Sequence, residues 1–198
     1  KALAGAARKV EASFDFPYLA HAAMEPLDCV VRLDADRREV WNGEQFQTGD
    51  QRNAAKVLGI AAEKVRIHTM FAGGSFGRRA NPYADFVLEA GAIAKASGRG
   101  VPVKMVWTRE DDMRGGYYRP LFLHRVKVGL DAKGAPLAWQ HALVGQSFIA
   151  NTPFEGMIKD GVDPTSVEGV DDSPYVAATP HHRVELHSPR LPVTTLWW

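Results

Sequence analysis

The chain has 198 residues, 45% apolar and 24% charged, an ordinary globular balance with length enough for one good core or two small ones. Lysine and arginine total 24 against 23 acidic residues, and no basic run occurs, which argues against a nucleic-acid partner. The single cysteine, Cys29, excludes an internal disulfide and a cysteine-built zinc or iron–sulfur site. Beside Val30 and Val31 it reads as a small buried residue. No apolar run reaches the roughly 18 residues of a membrane span. The chain opens on Lys1 and closes on Leu196, Trp197 and Trp198. Three large apolar residues there predict further chain packed over them, so the sequence reads as a segment of a longer protein.

Residues 9–16 alternate apolar and polar and predict a strand. Residues 29–33 and 39–41 predict two more, joined by the charged turn Asp34, Ala35, Asp36. Residues 51–58 predict a short helix with Asp50 as N-cap and Gly59 as its stop. Over 65–71, Val65, Ile67, Thr69 and Phe71 share one face of a strand. The glycine-rich stretch AGGSFGRR follows at 72–79. Asn81 and Pro82 predict a helix opening, with Phe86, Ala90, Ile93 and Ala94 on its apolar face and Gly98 as its end. Residues 101–107 predict a strand, and 110–116 a polar loop or one helical turn. Residues 121–130 and 137–144 predict a hairpin across Asp131 and Gly134, with Val126, Val128 and Leu130 inward. Residues 151–172, rich in Gly, Pro, Asp and Ser, predict a long irregular connection. Residues 183–187 predict a last strand. The fold class is α+β with more strand than helix, including one strand–helix–strand crossover over 65–107.

The glycine loop carries the chemistry. Gly73, Gly74 and Gly77 let backbone approach a ligand with no Cβ in the way. Amides in such a loop cradle an anion, and Arg78 and Arg79 can add charge-assisted bonds. The spacing matches neither the P-loop nor the dinucleotide fingerprint. On spacing alone, an anion- or cofactor-binding loop and a plain tight turn stand about even.

GGSFGRR resembles the GGGFG(G/R)(K/R) loop of the molybdenum-binding subunits of xanthine dehydrogenase and aldehyde oxidase relatives. Three further segments agree in the same order. HAAMEP at 21–26 is similar to the family's H-x-x-(M/L)-E-P, WNGEQ at 41–45 to its W-x-G-T-Q, and REDDM at 109–113 to its R-x-E-D-M. The nearest sub-group is that of isoquinoline 1-oxidoreductase beta-like and bacterial aldehyde dehydrogenase large subunits. The resemblance implies that the whole chain, 1–198, is part of a molybdopterin-binding domain. It implies a pterin-held molybdenum centre with a cytosine dinucleotide and no protein ligand to the metal. It also implies an iron–sulfur small subunit with two [2Fe–2S] clusters, and in some relatives a cytochrome acceptor. The reaction implied is hydroxylation of an electron-poor carbon in an N-heterocycle or aldehyde, with a glutamate general base expected beyond Trp198. By position, the cofactor-binding residues are Gln45, Gly73, Gly74, Ser75, Phe76, Gly77 and Arg78, with none catalytic. Glu44 stands where the family usually has threonine, and Ser75 where it usually has glycine. Ala80 stands where xanthine-type enzymes carry a substrate-binding glutamate, which argues against xanthine. A non-catalytic anion- or nucleotide-binding module is the alternative reading.

Among other residues, Glu25 is expected to make a structural hydrogen bond or ion pair. Asp111 and Asp112 are expected to cap a helix or pair on the surface. His181 and His182 are expected to be solvated. The tryptophans are expected in a core or interface, and Tyr117 and Tyr118 near a pocket mouth.

Overall fold

A computed structural model describes residues 1–197; the expectation for Trp198 lies outside them. The chain forms two compact units. The first comprises Lys1–Leu19 and Pro120–Thr195, and the second Ala20–Arg119 joined by Leu196 and Trp197. The α+β expectation holds: mixed sheets with a few packing helices.

The first unit is a four-stranded sheet in the order β1 (Arg8–Phe16), β8 (Phe122–Leu130), β9 (Pro136–Gly145), β10 (His181–His187). β1 and β8 are antiparallel, β8 and β9 form the expected hairpin, and β10 runs parallel to β9. The hairpin turn is held by Asp131, whose Oδ1 accepts from the amides of Lys133 and Ala135 at 2.8 and 2.9 Å. Between β9 and β10, residues 151–172 carry two short 3-10 turns, Glu155–Met157 and Pro164–Ser166, and α4 (Pro174–Ala178) follows. Asp163 is buried there and caps the second turn through Thr165 N–H at 2.9 Å. His181 and His182 are exposed, as expected.

The second unit has a sheet in the order β5 (Arg66–Met70), β4 (Arg38–Gly43), β3 (Asp28–Leu33), β6 (Val103–Val106). β4 and β5 are parallel, and β3 is antiparallel to both of its neighbours. β6 therefore runs with β4 and β5. Two helical connections cross one face: α1 (Gln47–Leu58) between β4 and β5, and α2 (Asp85–Ser97) between β5 and β6. Cys29, Val31 and Val40 of the sheet meet Ala54 and Ala55 of α1 and Phe86, Val87, Ala90 and Ala94 of α2. Burying side chains of this kind stabilises a fold by about 1.5–3 kcal/mol each for the larger ones. Cys29 lies in this core, and burial raises its thiol well above the ordinary range. The short strands β2 (Leu19–Ala20) and β7 (Tyr118–Arg119) pair with each other, and α3 (Arg109–Arg114) precedes β7. Among the described residues no helix is long and apolar enough to cross a membrane.

Four local expectations are corrected. Asp50 does not cap α1: the helix starts earlier, at Gln47, and Asp50 turns its side chain inward within the first turn. Asn81 caps a turn and not the helix, accepting from Tyr83 N–H at 3.0 Å; α2 starts at Asp85 after Ala84 takes a left-handed conformation at φ 52°. Ile93 is exposed, and Val87 and Gly91 face the core in its place. Of the four residues expected on one face, Val65, just before β5, and Ile67 pack on the core, but Thr69 and Phe71, the latter beyond the strand's end, are exposed.

Candidate functional site

The glycine loop leaves the end of β5 and returns through a 3-10 turn at Arg78–Ala80. Gly74, Phe76 and Gly77 all take positive φ, at 100°, 55° and 91°. A left-handed phenylalanine costs on the order of 1–2 kcal/mol. Its ring is left exposed. Among the described residues, the amides of Gly74, Ser75 and Gly77 donate to no protein acceptor. Three amides left over in a left-handed loop form a concavity suited to an anion.

The loop is fixed from behind by an acid and an arginine. Glu25 Oε2 accepts from Gly73 N–H at 2.8 Å and from Arg79 Nη2 at 2.8 Å. The Arg79 side chain is fully buried. It also donates through Nε to the Gly74 carbonyl at 3.3 Å and lies 4.0 Å from Asp28. A Cβ on Gly73 would stand 2.5 Å from the Cβ of Glu25, so only glycine permits this approach. Glu25 thus makes the structural hydrogen bond and ion pair expected of it.

Arg109 joins the other motif segments. It donates to the carbonyls of Ala23 and Met24 at 2.6 and 2.8 Å and pairs with Asp112 at 2.7 Å. Asp111 forms a capping box with Thr108, so neither aspartate points to a metal. His21 is buried and lies 3.1 Å from the Trp197 carbonyl through Nε2, and burial lowers its pKa below the ordinary histidine value. Segments 21–26, 72–79 and 109–113 therefore meet around one loop.

Arg78 is buried and grips Asp85 with two bonds at 3.1 and 2.5 Å. The rings of Trp107 and Tyr117 lie 5.6 and 5.1 Å from its guanidinium. Its charge is directed into the protein. The Tyr117 ring therefore flanks this buried cation. Trp107 donates to Glu89 at 2.8 Å.

Gln45 lies on the exposed turn between β4 and α1, and its Oε1 accepts the hydroxyl hydrogen of Ser75. Ser75 Oγ accepts in turn from Arg79 N–H at 3.0 Å. Ser75 therefore ties the glutamine turn to the loop. Beneath the turn, Asn42, Glu44 and Asp50 are packed together. Burial, then the neighbouring Glu44 carboxyl and its charge, push Asp50 up to about 9. Glu44 is also raised, by burial, and none of the side-chain polar atoms of Asn42, Glu44 and Asp50 has a hydrogen-bond partner among the described residues. Asn42 carries no signal of its own in the sequence, Asp50 reads there as a cap, and Arg78 and Arg79 read as donors to an anion; the structure buries both arginines and pairs them with Asp85 and Glu25 instead.

The open face of the second unit's sheet carries a groove of about 600 Å3 that reaches Glu25 and Asn42 and is lined further by Arg32, Trp41, Phe71 and Lys104. Trp41 stacks on His68 at 4.8 Å, and His68 lies 3.1 Å from Glu39.

Residues 1–158 match the family described as the molybdopterin cofactor-binding domain. The chain is 37% identical over 131 residues to isoquinoline 1-oxidoreductase subunit beta of Brevundimonas diminuta, covering 65% of this chain and 16% of that protein. It is 29% identical over 191 residues to the aldehyde oxidoreductase molybdenum-binding subunit PaoC of Escherichia coli K12, covering 96% of this chain and 24% of that protein. The fold is similar to that of quinoline 2-oxidoreductase from Pseudomonas putida 86, with a TM-score of 0.64 at 19% identity over 79% of this chain and 20% of that one. The chain thus spans no more than a quarter of the length of these relatives.

Proposed function

The chain belongs to the molybdopterin cofactor-binding domain family, and from that premise we propose that it supplies part of the cofactor pocket of a molybdenum hydroxylase. Gln45, Gly73, Gly74, Ser75, Phe76 and Gly77 line that pocket, and Arg78 braces the loop from behind through Asp85. The observation that carries this reading is the convergence of the Gln45 side chain on Ser75, within a loop whose amides at Gly74, Ser75 and Gly77 stay free of protein acceptors.

When bound, the pterin-held molybdenum supplies the oxidising centre for hydroxylating an electron-poor carbon of an N-heterocycle or aldehyde, with oxygen drawn from water. This chain's residues hold and orient. The three free amides donate to anionic oxygens of the cofactor, in its cytosine dinucleotide form. Gln45 has committed Oε1 to Ser75 and therefore offers its Nε2 hydrogens outward. Phe76, forced to the surface by its left-handed backbone, places an apolar ring where water must be excluded. The general base is a glutamate from another part of the subunit, so the segment alone is inactive. Electrons leave to a partner small subunit bearing [2Fe–2S] clusters, since Cys29 alone cannot ligate one, and onward to a cytochrome.

The test is the molybdenum content of the full-length subunit co-expressed with its neighbouring small subunit, with CMP release assayed alongside. Near-stoichiometric molybdenum with CMP is the expected result. No molybdenum, from a host shown to make the cofactor, overturns the reading and leaves an anion-binding module.

A further inference from the structure

The turn that carries Gln45 is only three residues long, 44–46, and a carboxyl stands at each side of it. Glu44 ends the stretch that leaves β4, and Asp50 sits in the first turn of α1. The oxygens of both carboxyls are shut off from solvent, and among the described residues no hydrogen-bond donor, the Asn42 amide included, reaches them. Their neighbours are each other, the Asn42 amide and the Arg79 charge. Two carboxylates in that position repel each other and lack water. One proton between them converts the contact into a hydrogen bond.

We propose that Glu44 and Asp50 act as positioning residues for Gln45: a carboxyl pair that shares one proton and pins both sides of the Gln45 turn at the height where its side chain meets Ser75. The inference rests on the cofactor-pocket reading of Gln45 and the glycine loop. The connections form a closed circuit. Gln45 accepts from Ser75, and Ser75 accepts from the Arg79 amide. The Arg79 guanidinium attracts Glu44, and Glu44 is the chain neighbour of Gln45. Displacing any member moves the glutamine relative to the loop. The charges facing the pair are those of Arg79, which favours ionisation of Glu44, and Asp85, which opposes that of Asp50. Around Arg79 stand Glu25 and Asp28 as well. With one shared proton the pair contributes a single negative charge to that cluster.

The experiment uses the full-length subunit in complex with its small subunit. Asp50→Asn, Asp50→Leu and Glu44→Gln are compared with the parent by molybdenum content, by infrared absorption of protonated carboxyl groups, and by kcat and KM separately. The parent shows a buried protonated-carboxyl band that Asp50→Asn removes. Asp50→Asn keeps molybdenum and kcat, because its amide donates to Glu44 where the shared proton did. Asp50→Leu keeps molybdenum but lowers kcat on the order of tenfold or more, with KM changed much less, as misplacement of an orienting group does. Glu44→Gln, whose amide donates to Asp50, should likewise remove the band and keep kcat; should Asp50→Leu fail to fold, Glu44→Leu carries the kcat–KM comparison. Full molybdenum with an unchanged band in Asp50→Asn, or with unchanged kcat in Asp50→Leu, overturns the positioning role and leaves the pocket reading intact. A parent complex without molybdenum overturns both.

Discussion

Glu25 and Gly73 hold each other by two hydrogen bonds across 48 residues of sequence: Gly73 N–H donates to the Glu25 carboxylate at 2.8 Å, and Glu25 N–H donates to the Gly73 carbonyl at 3.1 Å. The same carboxylate oxygen receives Arg79 at 2.8 Å. One side chain therefore fixes the loop's entry and neutralises its buried cation.

Glu25→Gln keeps an acceptor for Gly73 but leaves Arg79 short of a charge. The expected cost is about 1–3 kcal/mol. Glu25→Ala, which loses both partners, should cost more. Chemical denaturation of the three chains checks the order.

Asp50 predicts the pH dependence of stability. It is held at about 9 when folded, by burial and by Glu44, against about 3.9 when unfolded. The folded state binds the proton more tightly. Its contribution is complete below the unfolded value and is lost as pH rises toward the folded one. Stability should therefore fall with pH between about 4 and 9, by at most about 1.4 kcal/mol per pH unit. Asp50→Asn should flatten that slope. Thermal melts of both chains across the range measure it.

Phe76 predicts opposed effects on stability and occupancy. Phe76→Gly relieves its left-handed backbone, φ 55°, and should stabilise the chain by up to about 1 kcal/mol, offset by glycine's greater unfolded entropy. In the full-length complex the same change should lower retained molybdenum. A loss of stability together with full occupancy would contradict both halves.

The paired histidines of β8 and β9 predict acid sensitivity in the first unit. His124 Nδ1 and His141 Nε2 lie 2.9 Å apart, so one ring must be a neutral acceptor. Burial lowers both, and the charge of His124 lowers His141 further. Their contribution is present above the ordinary histidine value and is lost as pH falls through the lowered ones. Stability should drop below about pH 6. His141→Gln, which keeps a polar partner for His124, should blunt the drop in melts followed by near-ultraviolet circular dichroism.

Strands were legible where period-two alternation marked them: β1, β5 and β8 lie where the pattern places them. Helix starts were not, because α1 opens on Gln47 and Thr48, polar residues without a cap signature. The strand–helix–strand crossover over 65–107 was visible, but not that β6 takes the far edge of the sheet beside β3. Side-chain alternation says which face a strand buries and nothing about its neighbour. At the site, four short motifs pointed to the loop, and Glu25 followed from them. The Glu44–Asp50 contact could not be read, because two acids six positions apart look like surface charge until the turn between them folds back.

The first unit is assembled from both sides of the second, and this governs the order of events on the ribosome. β1 has its antiparallel partner in β8, with Phe16 opposite Phe122. At translation rates of about 5–20 residues per second, β1 waits roughly 5–20 s for that partner. The contiguous segment Ala20–Arg119 meanwhile has all its own strands and helices. The nascent chain therefore carries the bulk of the second unit, which still awaits Leu196 and Trp197, while Val10, Phe14 and Phe16 of β1 remain without the strand that pairs with them.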